Sequence, residues 1–343
     1  MSFMTKVRLL DCTLRDGGYA NDWKFGASNI VAVIDGLLDA GVDIVECGYL
    51  TAKYPSGPDC SRYNDFDAFR RILSEKARSQ LSRLAIMINF GETPISGLPQ
   101  AGVNSPIIRL AFHKRDMHMA IDYLKGLGDL GYRVFAQPMS SQVYSPDEFV
   151  SLVNAVSREA LSGFYIVDSF GVLEGEEFCR YLSIADALLP QSILLGYHGH
   201  NNLQQAAANA KYLAEAHFVH DKIIDSSVFG IGRGAGNLNS ELFAMYLNER
   251  HGKSLNVEKF LEIYDKALKP IYAKSPWGYS FPYYLSAMHR CHPNYAAFFA
   301  ASGTLGVSEM HELLASVPEL DRTAYTDKKA NYIYETFMQT KRS

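Results

Sequence analysis

VRLLDCTLRDGGY, residues Val7–Tyr19, reads as an apolar strand that runs directly into a charged pair and two glycines. An open, doubly wound sheet carries G-x-G-x-x-G at this first strand-to-helix junction, where the loop cradles a phosphate. Here the junction sets Arg15 beside Asp16 and follows them with Gly17 and Gly18. A surface salt bridge has no use for paired glycines. A ligand or metal site at a strand end uses all four residues, the glycines letting the backbone turn tightly and approach a ligand closely.

Downstream, short apolar runs alternate with segments of helical spacing. Strands are predicted over residues 7–12, 43–48, 84–89, 107–112, 133–138, 164–168, 193–197 and 222–226. Between them, Ile30, Val33, Ile34 and Leu37 recur at helical intervals, as do Phe149, Leu152, Val153 and Val156. Strands apolar almost throughout, each followed by a helix, describe a parallel sheet covered by helices. Eight such units, with the eighth helix near residues 240–250, fill about the span of a (β/α)8 TIM barrel, typically ~250 residues. The sequence therefore predicts an α/β fold: a TIM-barrel catalytic domain over residues 1–250 and a small helical C-terminal region over residues 251–343. The second part carries SPWGYSFPYYL, residues 275–285, an aromatic stretch expected at or near the barrel mouth, where it could equally serve a homodimer.

The bulk composition excludes several classes. The 343 residues are 48% hydrophobic and 20% charged, enough apolar content for a large core. A net charge of −4 without a basic run gives no reason to expect nucleic acid as a partner. No apolar stretch reaches membrane-spanning length and the N-terminus lacks a signal-peptide pattern, so no membrane partner and a cytoplasmic location are expected. The five scattered cysteines lack metal-finger spacing and read as reduced thiols.

In a TIM barrel the chemistry sits at the C-terminal ends of the strands. Those ends carry Arg15 and Asp16, then Glu46, His113, Asp168 and Ser169, then His198 and His200 in GYHGHNN. The last is followed by FGIGRGAGN, ending at Asn237. His198 and His200 are the sharpest signal. Side chains two apart along a strand point the same way, so both imidazoles can share one ion. Asp16 completes two imidazoles and a carboxylate, a set suited to manganese, cobalt, iron, zinc or magnesium. Such a site leaves positions open for the carboxylate and keto oxygen of a 2-oxo acid, polarised by the metal as a Lewis acid. Arg15, always charged, would stabilise the developing enolate, and a bridge from Arg15 to Glu46 would fix its guanidinium. The glycine loop also admits a phosphate reading, although no Lys-Ser/Thr follows as in a P-loop.

TLRDG, HGHNN and GIGRGAGN, in that order after strands one, seven and eight, resemble the DRE-TIM metallolyase superfamily over roughly residues 5–250. The resemblance is greatest to the 4-hydroxy-2-oxovalerate aldolase-like branch, which RLAFH and the Asp168–Ser169 pair also fit. It implies Asp16, His198 and His200 as metal ligands with Asn237 at or near the ion, manganese first and magnesium, cobalt or zinc as alternatives. It implies Arg15 as the enolate-stabilising and substrate-binding residue, Glu46 in its network and Ser169 on the substrate. Tyr279, in WGYSF, falls near a tyrosine those aldolases place over the site. One departure matters: three residues after the aspartate these aldolases carry a histidine base, and here that position is Tyr19. Phenols titrate at about pH 10 in general, so the proton would move through Tyr19, His113, Tyr279 or His292. The expected function is a divalent-metal-dependent aldolase joining or cleaving a 2-oxo acid, pyruvate first, and an aldehyde. The alternative is an acyl-CoA/2-oxo acid condensing transferase of the isopropylmalate synthase type. Its lyase and synthase relatives fit less well: the glycine loop lacks a cysteine, and Gly18-Tyr19 replaces their Leu-Gln or Glu-Gln.

Overall fold

The computed structural model describes residues 5–342. Eight parallel strands form the barrel: β1 (Val7–Asp11), β2 (Ile44–Leu50), β3 (Leu84–Asn89), β4 (Ile107–Phe112), β5 (Val134–Pro138), β6 (Gly163–Asp168), β7 (Leu194–Gly199) and β8 (Lys222–Ser226). Each pairs with the next in chain order, and β1 pairs with both β8 and β2, which closes the ring. The strands are buried on both faces, which is why they read as continuous apolar runs. A further two-residue strand, Arg62–Tyr63, sits beside β2.

The inward face alternates with period two and changes character along the barrel axis. Leu10, Ile44, Ala85, Ile107, Phe135 and Tyr165 form an apolar layer. One inward step further along, the same strands present Glu46, Met87, Arg109, Gln137 and Val167. The apolar layer is the floor on which a polar site is built.

The start of the first loop differs from the sequence reading. β1 stops at Asp11, and Thr13–Asp16 make one helical turn that continues as a 3-10 turn over Gly17–Ala20. Gly17 has φ −61°, an ordinary helical value, so these glycines do not serve a left-handed turn. Space explains them. A Cβ on Gly17 would lie 2.7 Å from Ile231 Cγ2, and one on Gly18 would lie 2.2 Å from the Trp23 ring. The close approach they permit is to protein, not to a ligand.

After the barrel's last helix, Ser240–His251, the chain continues as helices. Those over Val257–Lys274 pack on the barrel: Phe260, Ile263, Ala267 and Leu268 belong to its main apolar cluster. From Leu285 onward a separate cluster forms around Tyr295, Phe299, Leu313 and Leu314. This helical region meets the barrel mouth through Ala287 against Phe170 and Val172, and through an Arg290–Glu177 ion pair of 2.8 Å. No helix among the described residues is long and apolar enough to cross a membrane. All five cysteines are free thiols; Cys12, Cys47 and Cys291 are buried.

Candidate active site

The C-terminal ends of the strands enclose a cavity of about 380 Å³, and Arg15, Asp16, Tyr19, Ser169, His198 and His200 all line it. Strand phase accounts for the histidines. His198 continues the inward face of β7, and His200 lies two residues on, just past its end. The two rings are perpendicular with centroids 5.2 Å apart. Asp16, His198 and His200 bring potential ligand atoms within 4.8 Å of one another.

Beneath the cavity a buried ladder of charges runs across the barrel. Asp16 Oδ1 accepts from Arg15 Nη1 at 2.5 Å, and Arg15 Nε donates to Glu46 Oε2 at 2.8 Å. The same Glu46 oxygen accepts from Arg109 Nη1 at 2.7 Å, and Arg109 Nη2 donates to Asp225 Oδ2. Asp225 Oδ2 in turn lies 3.0 Å from His198 Nδ1. Burial opposes ionisation of Asp16, but Arg15, the two imidazoles and Arg233 outweigh it and hold its carboxyl well below the usual range. Asp225 is likewise held down against burial, chiefly by Arg109. Burial lowers the pKa of His200 to about 3, which keeps its imidazole neutral and its lone pair free.

These residues fit a divalent cation. Among the described residues, Nδ1 of His198, Nδ1 of His200 and Oδ1 of Asn237 are buried with no hydrogen-bond partner, and Nδ1 of His200 faces Asp16 Oδ2 at 3.8 Å. The ladder holds one more carboxyl group than guanidinium, a surplus that favours a cation. Asn237 stands behind the cluster rather than in the cavity wall. Its Nδ2 donates to Asp16 Oδ2 at 2.9 Å and to the Ile231 carbonyl at 3.1 Å.

The glycine loop is not arranged as a phosphate cradle. Arg233 N points to Asp16 Oδ2 (3.3 Å) and Ala235 N to Asn202 Oδ1 (3.2 Å), so these amides are engaged by the protein. A Cβ on Gly232 would lie 2.6 Å from Asp16 Oδ2, so the loop closes directly over the metal-ligand candidates.

The remaining expected residues divide. Tyr19 is 46% exposed at the cavity edge, its ring against Trp23 and beneath the Arg233 guanidinium at 5.6 Å. His113 lies on the exposed rim, its pKa lowered by partial burial and by Arg115. Glu46 is fully buried and does not reach the cavity; it acts on Arg15. Tyr279 is not brought to the cavity. Trp277 Nε1 donates to the Phe229 carbonyl at 2.8 Å, which holds this segment on the outer side of the glycine loop, where Tyr279 lines a separate recess. Besides Asn294, it is His292 of the C-terminal region that reaches the cavity. Its Nδ1 accepts from Asn294 N at 3.1 Å, so Nε2 carries the proton, and burial lowers its pKa to about 3.

Three participants escaped the sequence reading. Arg109 and Asp225 were hidden inside apolar strands, where a charge at an inward position was the available signal. Arg233, the single charged residue of the glycine loop, donates from Nη2 to the Ser169 carbonyl at 2.7 Å. Ser169 Oγ accepts from Ser140 N at 2.9 Å, which leaves its hydroxyl hydrogen free for a substrate.

The family model described as HMGL-like matches residues 6–266. A protein of Mycobacterium tuberculosis named oxaloacetate decarboxylase is 27% identical over 276 residues, 79% of this chain and 78% of its own. A 4-hydroxy-2-oxovalerate aldolase of Carboxydothermus hydrogenoformans is 26% identical over 271 residues, 77% of this chain and 78% of its own. Among solved structures, the N-terminal domain of a candidate aldolase from Bacteroides vulgatus superposes with a TM-score of 0.69 at 26% identity, covering 85% of this chain and 96% of that one.

Proposed function

The chain belongs to the HMGL-like family, and from that membership we propose that it is a divalent-metal-dependent carbon–carbon lyase of the aldolase type, acting on a 2-oxo acid and an aldehyde. Pyruvate is the first choice of acid. The observation that carries this reading is the convergence of Asp16, His198 and His200 with Arg15 on one cavity at the strand ends.

Asp16, His198 and His200 would hold the ion, with Asn237 fixing the Asp16 carboxylate; manganese, magnesium, cobalt and zinc all suit this donor set. When bound, such an ion supplies Lewis acidity at the keto group of the acid. The residues of the chain do the rest. Arg15, clamped between Glu46 and Asp16, presents a fixed positive charge where negative charge develops on the keto oxygen. Ser169 and Arg233 offer donors to the substrate carboxylate.

In the synthetic direction a base takes a proton from the methyl carbon of the acid, and the C–H electron pair forms the enolate. That carbon attacks the aldehyde carbon, the carbonyl π pair moves to oxygen, and the oxygen takes up a proton. One C–H bond and the π bond of one C=O give way to one C–C and one O–H bond, with no oxidant or reductant. His113, its pKa lowered by partial burial, and Tyr19 both line the cavity and would carry the proton. His292, protonated on Nε2, is a hydrogen-bond donor.

The name of the M. tuberculosis relative favours a second reading, decarboxylation of a 2-oxo diacid, which forms the same enolate without an aldehyde. The test is deuterium exchange into the methyl group of pyruvate, followed by proton NMR with Mn2+, with chelator and with Asp16→Ala. Metal-dependent exchange that disappears in the variant is expected. No exchange by the wild-type protein with metal bound would overturn the enolisation common to both readings.

A further inference from the structure

β5 stands diametrically opposite β1 in the eight-strand ring, and β3 and β4 complete the wall that leads to it from the β2 side. At one level across that wall lie Asn89, Ala111 and Gln137: Asn89 pairs with Ala111, and Ala111 pairs with Gln137. All three line the cavity. Gln137 is 2% exposed and its carboxamide makes no hydrogen bond among the described residues; Nε2 as placed is buried outright. A buried amide left unpaired is destabilising unless a ligand completes it. Asn89 is arranged differently. Its Nδ2 donates to Glu92 Oε1 at 3.1 Å, which leaves Oδ1 as an open acceptor. The two amides stand two strand spacings apart, about 10 Å between backbones. At their level on the intervening strand the side chain is the methyl of Ala111.

A carboxamide that can turn either its nitrogen or its oxygen to the cavity, opposite an open acceptor, matches a hydroxyl group, which is both acceptor and donor. An alkyl chain in the same place would leave the Gln137 amide unpaired. There is room for more than pyruvate. The cavity of about 380 Å³ would take roughly a dozen waters at ~30 Å³ each. On the reading of this site as a pyruvate aldolase, which this inference rests on, we propose that the acceptor is a hydroxyaldehyde, its hydroxyl on the carbon beside the carbonyl and held between Gln137 and Asn89. The two side chains are then specificity residues for the second substrate.

The experiment compares kcat/KM for glycolaldehyde and acetaldehyde, each with pyruvate and Mn2+, in the full-length protein and in Gln137→Met and Asn89→Leu. Methionine keeps the length of glutamine and removes its polar atoms. The ratio within one protein sample is independent of how much of a variant folds. The wild type is expected to prefer glycolaldehyde by at least about tenfold, since a site built to hydrogen-bond a hydroxyl discriminates against the analogue lacking it. Either variant is expected to bring the ratio to within roughly threefold of unity, as loss of one such hydrogen bond should. Equal or greater activity with acetaldehyde in the wild type, or no turnover of either aldehyde, overturns the inference while pyruvate exchange keeps the aldolase chemistry standing. A preference unchanged in both variants overturns the assignment to these side chains. Absence of pyruvate exchange overturns the underlying reading, and this one with it.

Discussion

Asp225 Oδ2 lies 3.0 Å from Nδ1 of His198 and at the same time accepts from Arg109 Nη2. One carboxylate thus sits against the imidazole and anchors the guanidinium that joins it to Glu46 and Arg15. Partners of this kind set the tautomer and basicity of a ligating histidine, and their loss typically weakens metal binding 10–100-fold. Asp225→Asn should raise the dissociation constant for Mn2+ by about that factor, read by calorimetric titration with circular dichroism as the control for folding. Unchanged affinity would separate the ladder from the metal site.

Arg15→Lys tests whether charge alone is enough. Lysine keeps a positive charge but cannot donate to Glu46 through Nε while directing Nη1 at Asp16. Removal of one preorganised donor at a developing oxyanion costs about 10²–10³ in rate. Pyruvate exchange should fall by that order, while the metal stays bound through Asp16, His198 and His200. A loss below about tenfold would remove Arg15 from the enolate.

The proton carrier is identified by its pH dependence. Partial burial and Arg115 lower the pKa of His113. A base works in its unprotonated form, so a lowered pKa extends activity to more acidic pH. The acid limb of kcat/KM should fall below the ordinary histidine value of about 6.5. His113→Ala should abolish that limb and slow exchange by about 10²–10⁴. Tyr19→Phe should leave the limb in place. A limb that survives His113→Ala would place the base elsewhere.

The eight strands were legible because both of their faces are covered, which makes each an unbroken apolar run, and every predicted strand falls within two residues of an observed one. Arg62–Tyr63 carried no such signal, being only two residues long. The helical turn at Thr13–Asp16 was hidden for another reason. Paired glycines suggest a left-handed turn, whereas here they make room for Ile231 and Trp23, neighbours that only the closed fold supplies. The site divides in the same way. Asp16, His198 and His200 declare themselves by local spacing, but Arg109 and Asp225 meet across 116 residues of sequence because the ring closes. Tyr279 lies away from the cavity because its segment is held by distant contacts, the Trp277 bond to the Phe229 carbonyl and the packing of Trp277 on Phe229 and Tyr272.

Gly18 is where the first loop can be tested for stability. Trp23 fills the space a side chain would need, and its Nε1 donates to the Arg15 carbonyl at 2.7 Å. The Arg62 guanidinium lies over the same ring at 3.7 Å from its centroid, so the indole is held at its N–H edge and on a ring face. A Cβ placed 2.2 Å from that ring must displace it. Overpacking of this kind costs about 1–3 kcal/mol. Gly18→Ala should therefore lower the unfolding free energy by that amount and, by shifting the Arg15 carbonyl, slow pyruvate exchange as well. Gly57 supplies the control, because a Cβ there meets nothing within 4 Å. Gly57→Ala should change stability by less than about 0.5 kcal/mol. Denaturant unfolding of both variants beside the wild type distinguishes crowding at Trp23 from a general cost of replacing glycine; equal effects at the two positions would refute the steric account of the paired glycines.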